Sequence, residues 1–259
     1  MPDLYLELKY SEESDGVEIA PLTEDETLAL LLEAEFTGSK LIPWGSNYSF
    51  AVALEDESGR EQLAIYKPQG GENPLYDFPD GTLYLREVAA YRLSRLLGWS
   101  IVPPTVVRDG PMGPGSLQLY VTPAGAREHE DPRRFWGQMT TDIERLVLFD
   151  HIANNADRKL SHCLLDGNGA VWGIDHGLCF NAQHKLRTVL WQFVGMPVSP
   201  ELATDVARTR GNEQALRSEL CGLIDDFELA ALLRRMDAFV RDPCYPSLDP
   251  YRNVPYGWW

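Results

Sequence analysis

Asn154-Asn155-Ala156-Asp157-Arg158-Lys159 is followed, eighteen residues after its aspartate, by Gly173-Ile174-Asp175-His176-Gly177. Each aspartate closes a short apolar segment. The first comes after a helix-like run, Ile143 to Ile152, and the second after a strand-like run, Ala170-Val171-Trp172-Gly173-Ile174. Between them lie another short strand, Cys163-Leu164-Leu165, and a turn at Asp166-Gly167-Asn168-Gly169. Gly and Asn between two apolar runs are hairpin chemistry. An apolar element that runs straight into a lone acid sets a carboxylate at the edge of a packed core. There it can orient a hydroxyl or hold a cation.

The flanking sequence has two characters. Thr23 before Glu24-Asp25-Glu26 N-caps a helix running to Phe36, with acids in its first turn. Strands are expected at Leu41-Ile42-Pro43, at Ser49 to Leu54 and at Gln62 to Lys67. Residues 68–81 form a loop rich in Pro and Gly, and loops of that length are usually functional or mobile. A helix follows from Tyr84 to Leu97, stopped by Gly98. Strands 105–108 and 116–121 pair across the Gly/Pro loop 110–115. Beyond Pro123 the pattern is helical. Asp131-Pro132 caps one helix and another ends near Asn154. Three more are expected at Ser199–Ala207, Asn212–Leu223 and Phe227–Val240, the last opened by an Asp225/Glu228 capping box. The expected class is α+β in two lobes: an acidic lead-in, residues 1–22; a β-rich lobe with one helix, residues 23–122; and an α-rich lobe, residues 123–259, ending in Trp258-Trp259.

With 259 residues and 44% hydrophobic side chains, such lobes can each bury a core. The net charge of -16 repels nucleic acid and anionic lipid surfaces, so neither is an expected partner. No segment reaches the length of a membrane span, and Met1-Pro2-Asp3-Leu4 lacks the basic start and apolar run of a secretory leader. A cytoplasmic setting is expected, with Cys163, Cys179, Cys221 and Cys244 reduced and unpaired. No Gly-x-x-x-x-Gly-Lys-Ser/Thr loop occurs.

In these residues and in this order, the chain from 40 to 195 resembles the phosphatidylinositol 3- and 4-kinase-like branch of the kinase fold. It looks most like a bacterial family of that kind within the atypical kinase superfamily. The resemblance is strongest over Asp150-His151-Ile152 to Asp157-Arg158, over Trp172 to Phe180, and over Lys185-Leu186-Arg187-Thr188-Val189-Leu190-Trp191. It implies a two-lobed protein-kinase-like fold that binds ATP with Mg²⁺ or Mn²⁺ in the cleft. It also implies phosphoryl transfer to a hydroxyl of a small molecule, lipid headgroup or protein.

Asp157 then matches the catalytic-loop aspartate that orients the attacking hydroxyl, and Arg158 supports it or another acid. Asn155 either acts in that loop or pins it, and Asn154 reads as a helix C-cap. Asp175 matches the aspartate that holds the metal, with His176 behind it. His162 departs from the pattern, because the superfamily carries Asn at that place. Imidazole is a softer ligand, and three readings stay open: metal ligand, phosphate donor, or neither. Lys67 is implied on the α- and β-phosphates, paired with Glu87 from the following helix. Gly45, Ser46, Asn47 and Ser49 match the loop that covers phosphates through backbone N–H groups and hydroxyls. The stretch Gln118 to Val121, with Gln118 and Tyr120, is the hinge beside adenine. Lys185 and Arg187 stand where an activation segment reads its acceptor, and either bind an anionic substrate or brace the loop. Two further readings fit the same fold: a non-catalytic nucleotide-binding regulator, and an enzyme that transfers AMP. Acceptor identity and oligomeric state are not written in these residues.

Overall fold

A computed structural model of the protein describes residues 22–43, 45–124 and 132–256. The lead-in before Leu22, Trp44, the expected cap at Asp131 and the Trp258-Trp259 end lie outside them. The described residues up to Asn73, with Pro104–Tyr120, form one compact unit; Pro74–Pro103, with those from Val121 on, form the other.

In the first unit, Thr23 accepts the N–H of Glu26 and the Glu26 carboxylate returns to Thr23, a capping box that starts α1 (Glu24–Glu33). The helix ends three residues before the expected Phe36. Ala34 is already extended, and the Arg108 guanidinium takes the carbonyls of Leu31 and Ala34 at 3.0 and 2.5 Å. Phe36 therefore belongs to a strand, β1 (Glu35–Leu41), which begins earlier than its sequence signals. With β2 (Phe50–Glu55), β3 (Glu61–Pro68), β4 (Thr105–Gly110) and β5 (Gly113–Leu119) it forms an antiparallel sheet in the order β1-β2-β3-β5-β4. Val52, Leu54, Ala64, Tyr66 and Leu117 pack with Leu30 and Leu31 into one core. The period of two along each strand puts these residues on one face.

The β4–β5 hairpin is tighter than the loop 110–115 expected. Its glycines admit Tyr66, whose hydroxyl donates to the Gly113 carbonyl at 2.5 Å. At Gly115 a Cβ would come within 2.5 Å of the Lys67 carbonyl and 2.8 Å of Pro68 Cα. Backbone cannot move aside cheaply there. Gly115→Ala is expected to lower stability by about 1–3 kcal/mol, read from the urea midpoint. An unchanged midpoint would show that the β3–β5 spacing is not set by this glycine.

The second unit holds α2 (Leu83–Leu97), α3 (Pro132–Trp136), α4 (Thr141–Ala153), the hairpin β6 (Cys163–Leu165) and β7 (Val171–Gly173), α5 (Pro200–Gly211), α6 (Glu213–Leu220) and α7 (Asp226–Arg241). α2 was expected with the first lobe. Its contacts group it with the second, because side chains bind it there along its length. Arg208 Nη2 and the Thr209 hydroxyl donate to its last carbonyls, Leu97 and Leu96, at 2.8 and 3.1 Å. Gly98, at φ 77°, then turns the chain out of the helix. No helix among the described residues is long and apolar enough to cross a membrane.

Candidate functional site

α4 delivers the first aspartate. Thr140 accepts the Ile143 N–H at its start, and Asn154 ends it in the left-handed region at φ 57°. Asn154 is thus the C-cap expected, and its side chain does more. Its amide donates to the Asn181 and Gln183 carbonyls at 2.9 and 2.6 Å, and its oxygen accepts the Lys185 N–H at 2.8 Å. Asn155, fully buried, ties the loop together. Its amide donates to Asp150 at 2.9 Å and its oxygen accepts the Asp157 N–H at 2.9 Å.

Behind the loop lies a buried ion pair in which the acid that Arg158 supports is Asp150 rather than Asp157. Arg158 Nε and Nη2 donate to the two Asp150 oxygens at 2.7 and 2.8 Å, with both side chains almost wholly out of solvent. The same guanidinium reaches the His162 carbonyl at 2.9 Å, the Ile174 carbonyl at 3.0 Å and His176 Nε2 at 2.8 Å. An arginine only donates, so His176 Nε2 accepts and the ring proton sits on Nδ1. Burial alone would push this guanidinium down; the Asp150 carboxylate outweighs it and holds the charge above its ordinary value. One side chain therefore joins the segment after α4 to the end of the β6–β7 hairpin. Gly173 leaves room for it: a Cβ there would meet Arg158 Nη2 at 3.3 Å and Leu146 at 2.6 Å.

The two aspartates stand on this frame, with His162 between them. Asp157 is partly exposed, and Lys159 Nζ lies 2.8 Å from its carboxylate. Asp175 is half-exposed and takes a left-handed backbone, φ 60°. A non-glycine residue there is uncommon, and such conformations gather at functional sites. The His162 ring sets Nδ1 3.0 Å from the Asp157 carbonyl and Nε2 3.2 Å from Asp175 Oδ2. Burial keeps the ring below its ordinary pKa, against the pull of the Asp175 carboxylate. Among the described residues no group of three or more His, Cys, Asp or Glu forms a metal cage. Asp175 and His162 offer two neighbouring donors, so a divalent cation here would complete its shell with phosphate oxygens and water.

α2 holds the turn after Asp175 at two points. The Glu87 carboxylate accepts the His176 N–H at 2.9 Å, and Arg86 Nη1 donates to the Cys179 carbonyl at 2.9 Å. Glu87 reads in sequence as lying off the apolar face; it is buried, as is Arg86. Arg86 also pairs with Glu228 of α7 at 2.6 Å and lies over Phe78. Removing one partner of a buried pair leaves the other charge uncompensated. Arg86→Met is expected to cost about 3 kcal/mol in urea unfolding and to speed amide exchange at His176 and Cys179. Exchange rates unchanged at both amides would show that Arg86 does not hold this turn.

The segment after the turn is braced from several sides. Lys185 pairs with Asp77 at 2.7 Å. The Arg187 N–H donates to the Asn155 carbonyl at 2.9 Å, and its guanidinium lies over the Tyr256 ring. Asn253 donates to the Leu186 carbonyl at 2.6 Å. The remaining expected residues belong to the first unit. Gly45, Ser46, Asn47 and Ser49 fall between β1 and β2, with Gly45 at φ 108°. Asn73, missed in the sequence, staples this loop: its N–H donates to Asn47 at 2.8 Å and its amide to the Ser46 carbonyl. Lys67 sits near the end of β3, opposite Ser116. Gln118 spends its amide on the Thr105 hydroxyl at 2.9 Å. The Tyr120 N–H donates to the Leu63 carbonyl, and burial pushes its phenol up to about 12.

No family model matches the chain. Protein Rv2133c of Mycobacterium tuberculosis (strain ATCC 25618 / H37Rv) is 35% identical over 275 residues, covering 92% of this chain and 97% of its own length. Phosphatidylinositol 4-kinase gamma 4 of Oryza sativa subsp. japonica is 27% identical over 76% of this chain, which spans 41% of that kinase. Phosphatidylinositol 4-kinase gamma 3 of Arabidopsis thaliana is 24% identical over 67% of this chain, which spans 38% of its length. Two solved structures share the architecture at low identity. The Golgi casein kinase with Mn/ADP bound gives a TM-score of 0.54 at 12% identity, covering 84% of this chain and 74% of that one. Hydra Fam20 with sugar gives 0.54 at 16%, covering 84% and 88%. These structures establish a protein-kinase-like fold, with a β-sheet first lobe and a helical second lobe. Joined by the identity shared with Protein Rv2133c across nearly the whole of both chains, and by the more distant plant kinases, the chain belongs to the phosphatidylinositol 3- and 4-kinase-like family.

Proposed function

We propose that the protein is an ATP-dependent phosphotransferase that moves a phosphoryl group to the hydroxyl of a small molecule, lipid headgroup or protein. The observation that carries this reading is the pair of carboxylates, the partly exposed Asp157 and the half-exposed Asp175, set beside one ring: His162 Nδ1 lies 3.0 Å from the Asp157 carbonyl and Nε2 lies 3.2 Å from Asp175 Oδ2. A pure nucleotide binder has no use for Asp157. In the proposal Asp157 accepts the proton of the attacking hydroxyl, and Arg158 and Asn155 hold it in position. Asp175 holds a divalent cation, which when bound draws charge from the phosphates. Lys67 and the loop of Gly45, Ser46, Asn47 and Ser49 serve the phosphates by charge and backbone N–H groups. Glu87 steadies the turn after Asp175 through the His176 N–H, and backbone near Gln118 and Tyr120 meets the adenine. The family relation favours a phosphorylated or polyol-like acceptor no more than any other hydroxyl, because a fold does not dictate a substrate.

The test is incubation of the full chain with γ-labelled and α-labelled ATP, with Mg²⁺ or Mn²⁺, beside a thermal-shift titration with ATP. Loss of γ-label from ATP to an acceptor or to the protein itself is expected. Transfer of α-label would replace this reading by AMP transfer. Thermal stabilisation by nucleotide with neither label moved would leave a regulator.

A further inference from the structure

We infer that Asn253, in the segment after α7, is a positioning residue for the loop that carries Asp157, and that it acts through residues 186–189. For catalysis this rests on the proposed role of Asp157.

The backbone of residues 186–189 lies between two partners and alternates between them. On one edge, Arg187 donates its N–H to the Asn155 carbonyl at 2.9 Å and accepts the Arg158 N–H at 3.0 Å, and Val189 donates to the Arg158 carbonyl at 3.2 Å. This is parallel pairing, with Arg158 opposite Thr188, and Asp157 sits inside the paired stretch. On the other edge, Asn253 meets the two groups that the loop leaves over. Its Nδ2 donates to the Leu186 carbonyl at 2.6 Å, and its own carbonyl accepts the Thr188 N–H at 2.9 Å. One residue thus stands in for a third strand. Leu186 and Thr188 are both buried, so backbone groups left unpaired there would be costly.

Asparagine is the side chain this place demands. Its Oδ1 accepts the Asp249 N–H at 2.7 Å, and its main-chain N–H donates to the Asp249 carbonyl at 2.8 Å. A closed turn therefore holds the side chain while the amide nitrogen reaches Leu186. Aspartate would keep the turn and have no donor for that carbonyl.

The segment has footing of its own before it reaches the turn. The Tyr245 N–H donates to the Met196 carbonyl at 2.9 Å, and the Tyr245 carbonyl accepts the Gly195 N–H at 3.0 Å. Its hydroxyl donates to Glu144 of α4 at 3.3 Å. The chain is fixed to α4 at one point and, through Asn253 and residues 186–189, to the loop after α4 at another. Loosening the second point frees the main chain on either side of Asp157, and a small misplacement of a reacting group is costly in rate.

The test uses the full chain and three variants. Asn253→Asp keeps the acceptor for Asp249 and loses the donor, Asn253→Ala loses both, and Arg252→Ala changes an exposed side chain of the same turn. Exchange of the Arg158, Arg187 and Thr188 amides is followed by NMR, with the amides of α7 as reference, beside γ-label transfer from ATP. In both Asn253 variants exchange at all three should quicken by about tenfold or more with α7 unchanged. Transfer should fall by about 10- to 100-fold with the KM for ATP unchanged. Arg252→Ala should match the wild type in both readouts. Unchanged exchange at Arg158 would overturn the inference, as would transfer at the wild-type rate with only Thr188 loosened. Equal quickening in α7 would make the effect a loss of global stability and overturn it too. A wild type that moves no label would remove the phosphotransferase reading, whereas exchange at Arg158 would still decide whether Asn253 holds the loop.

Discussion

Asp157→Ala is expected to abolish phosphoryl transfer while sparing both the fold and nucleotide binding. The expectation separates cleanly because the loop is not built on the Asp157 carboxylate. Its geometry comes from the Asp157 main chain, which donates to Asn155 and accepts from His162, and from the Arg158 guanidinium behind it. The carboxylate itself holds only Lys159, in a partly exposed pair worth less than about 1 kcal/mol. Truncation should therefore move the thermal midpoint little. A positioned base contributes about 10²–10⁴ in rate, and transfer should fall by at least that factor. Asp157→Asn keeps the shape and loses the proton acceptor, so it should fall alongside alanine. Nucleotide affinity, read by calorimetry, should stay within about twofold in both. Transfer at the wild-type rate by either variant would refute the assignment of Asp157. A large fall in midpoint would make its role structural.

The residues of the candidate site were legible unevenly, and the reason is physical. Asp157 and Asp175 stand out because each interrupts apolar sequence at the end of an element, and the hairpin between them has its own turn chemistry. Asn154 was readable as a C-cap for the same local reason. Asp150 gave a signal that went unused: an acid inside an apolar helical run must find a buried partner, and Arg158 lies eight residues on. Arg86 and Glu228 gave none, since their meeting spans 142 residues and either alone reads as a solvated helix charge. The same blindness moved α2. Period and length announce a helix at 84–97, but only the partners of Arg86, Thr209 and Arg208 group it with the second unit. The early end of α1 is likewise tertiary, set by Arg108 from a strand more than seventy residues away. His162 was visible as a departure, but its meaning depends on which ring nitrogen faces which oxygen, and no spacing encodes that.

Arg158→Met should be the most destabilising substitution at the site. Arg158 is fully buried and neutralises Asp150, itself buried, so the variant leaves a carboxylate in low dielectric with only the Asn155 amide to meet it. Breaking such a pair costs about 3–5 kcal/mol, a large fraction of the stability of a domain this size. Three further acceptors lose the guanidinium at once: the Ile174 carbonyl, His176 Nε2 and the His162 carbonyl, which keeps the Ile174 N–H. The double variant Asp150→Asn/Arg158→Met separates the two contributions. It removes both charges and keeps a polar partner for Asn155, so it should recover part of the loss, and the two single costs should exceed the cost of the double by about 1–3 kcal/mol. The unrecovered part measures the bonds lost to these three acceptors. The measurement is urea unfolding of all four proteins with a common slope. Additive single costs would mean that the charges do not interact, and the ion pair would then be no part of what fixes Asp157 and Asp175 to one frame.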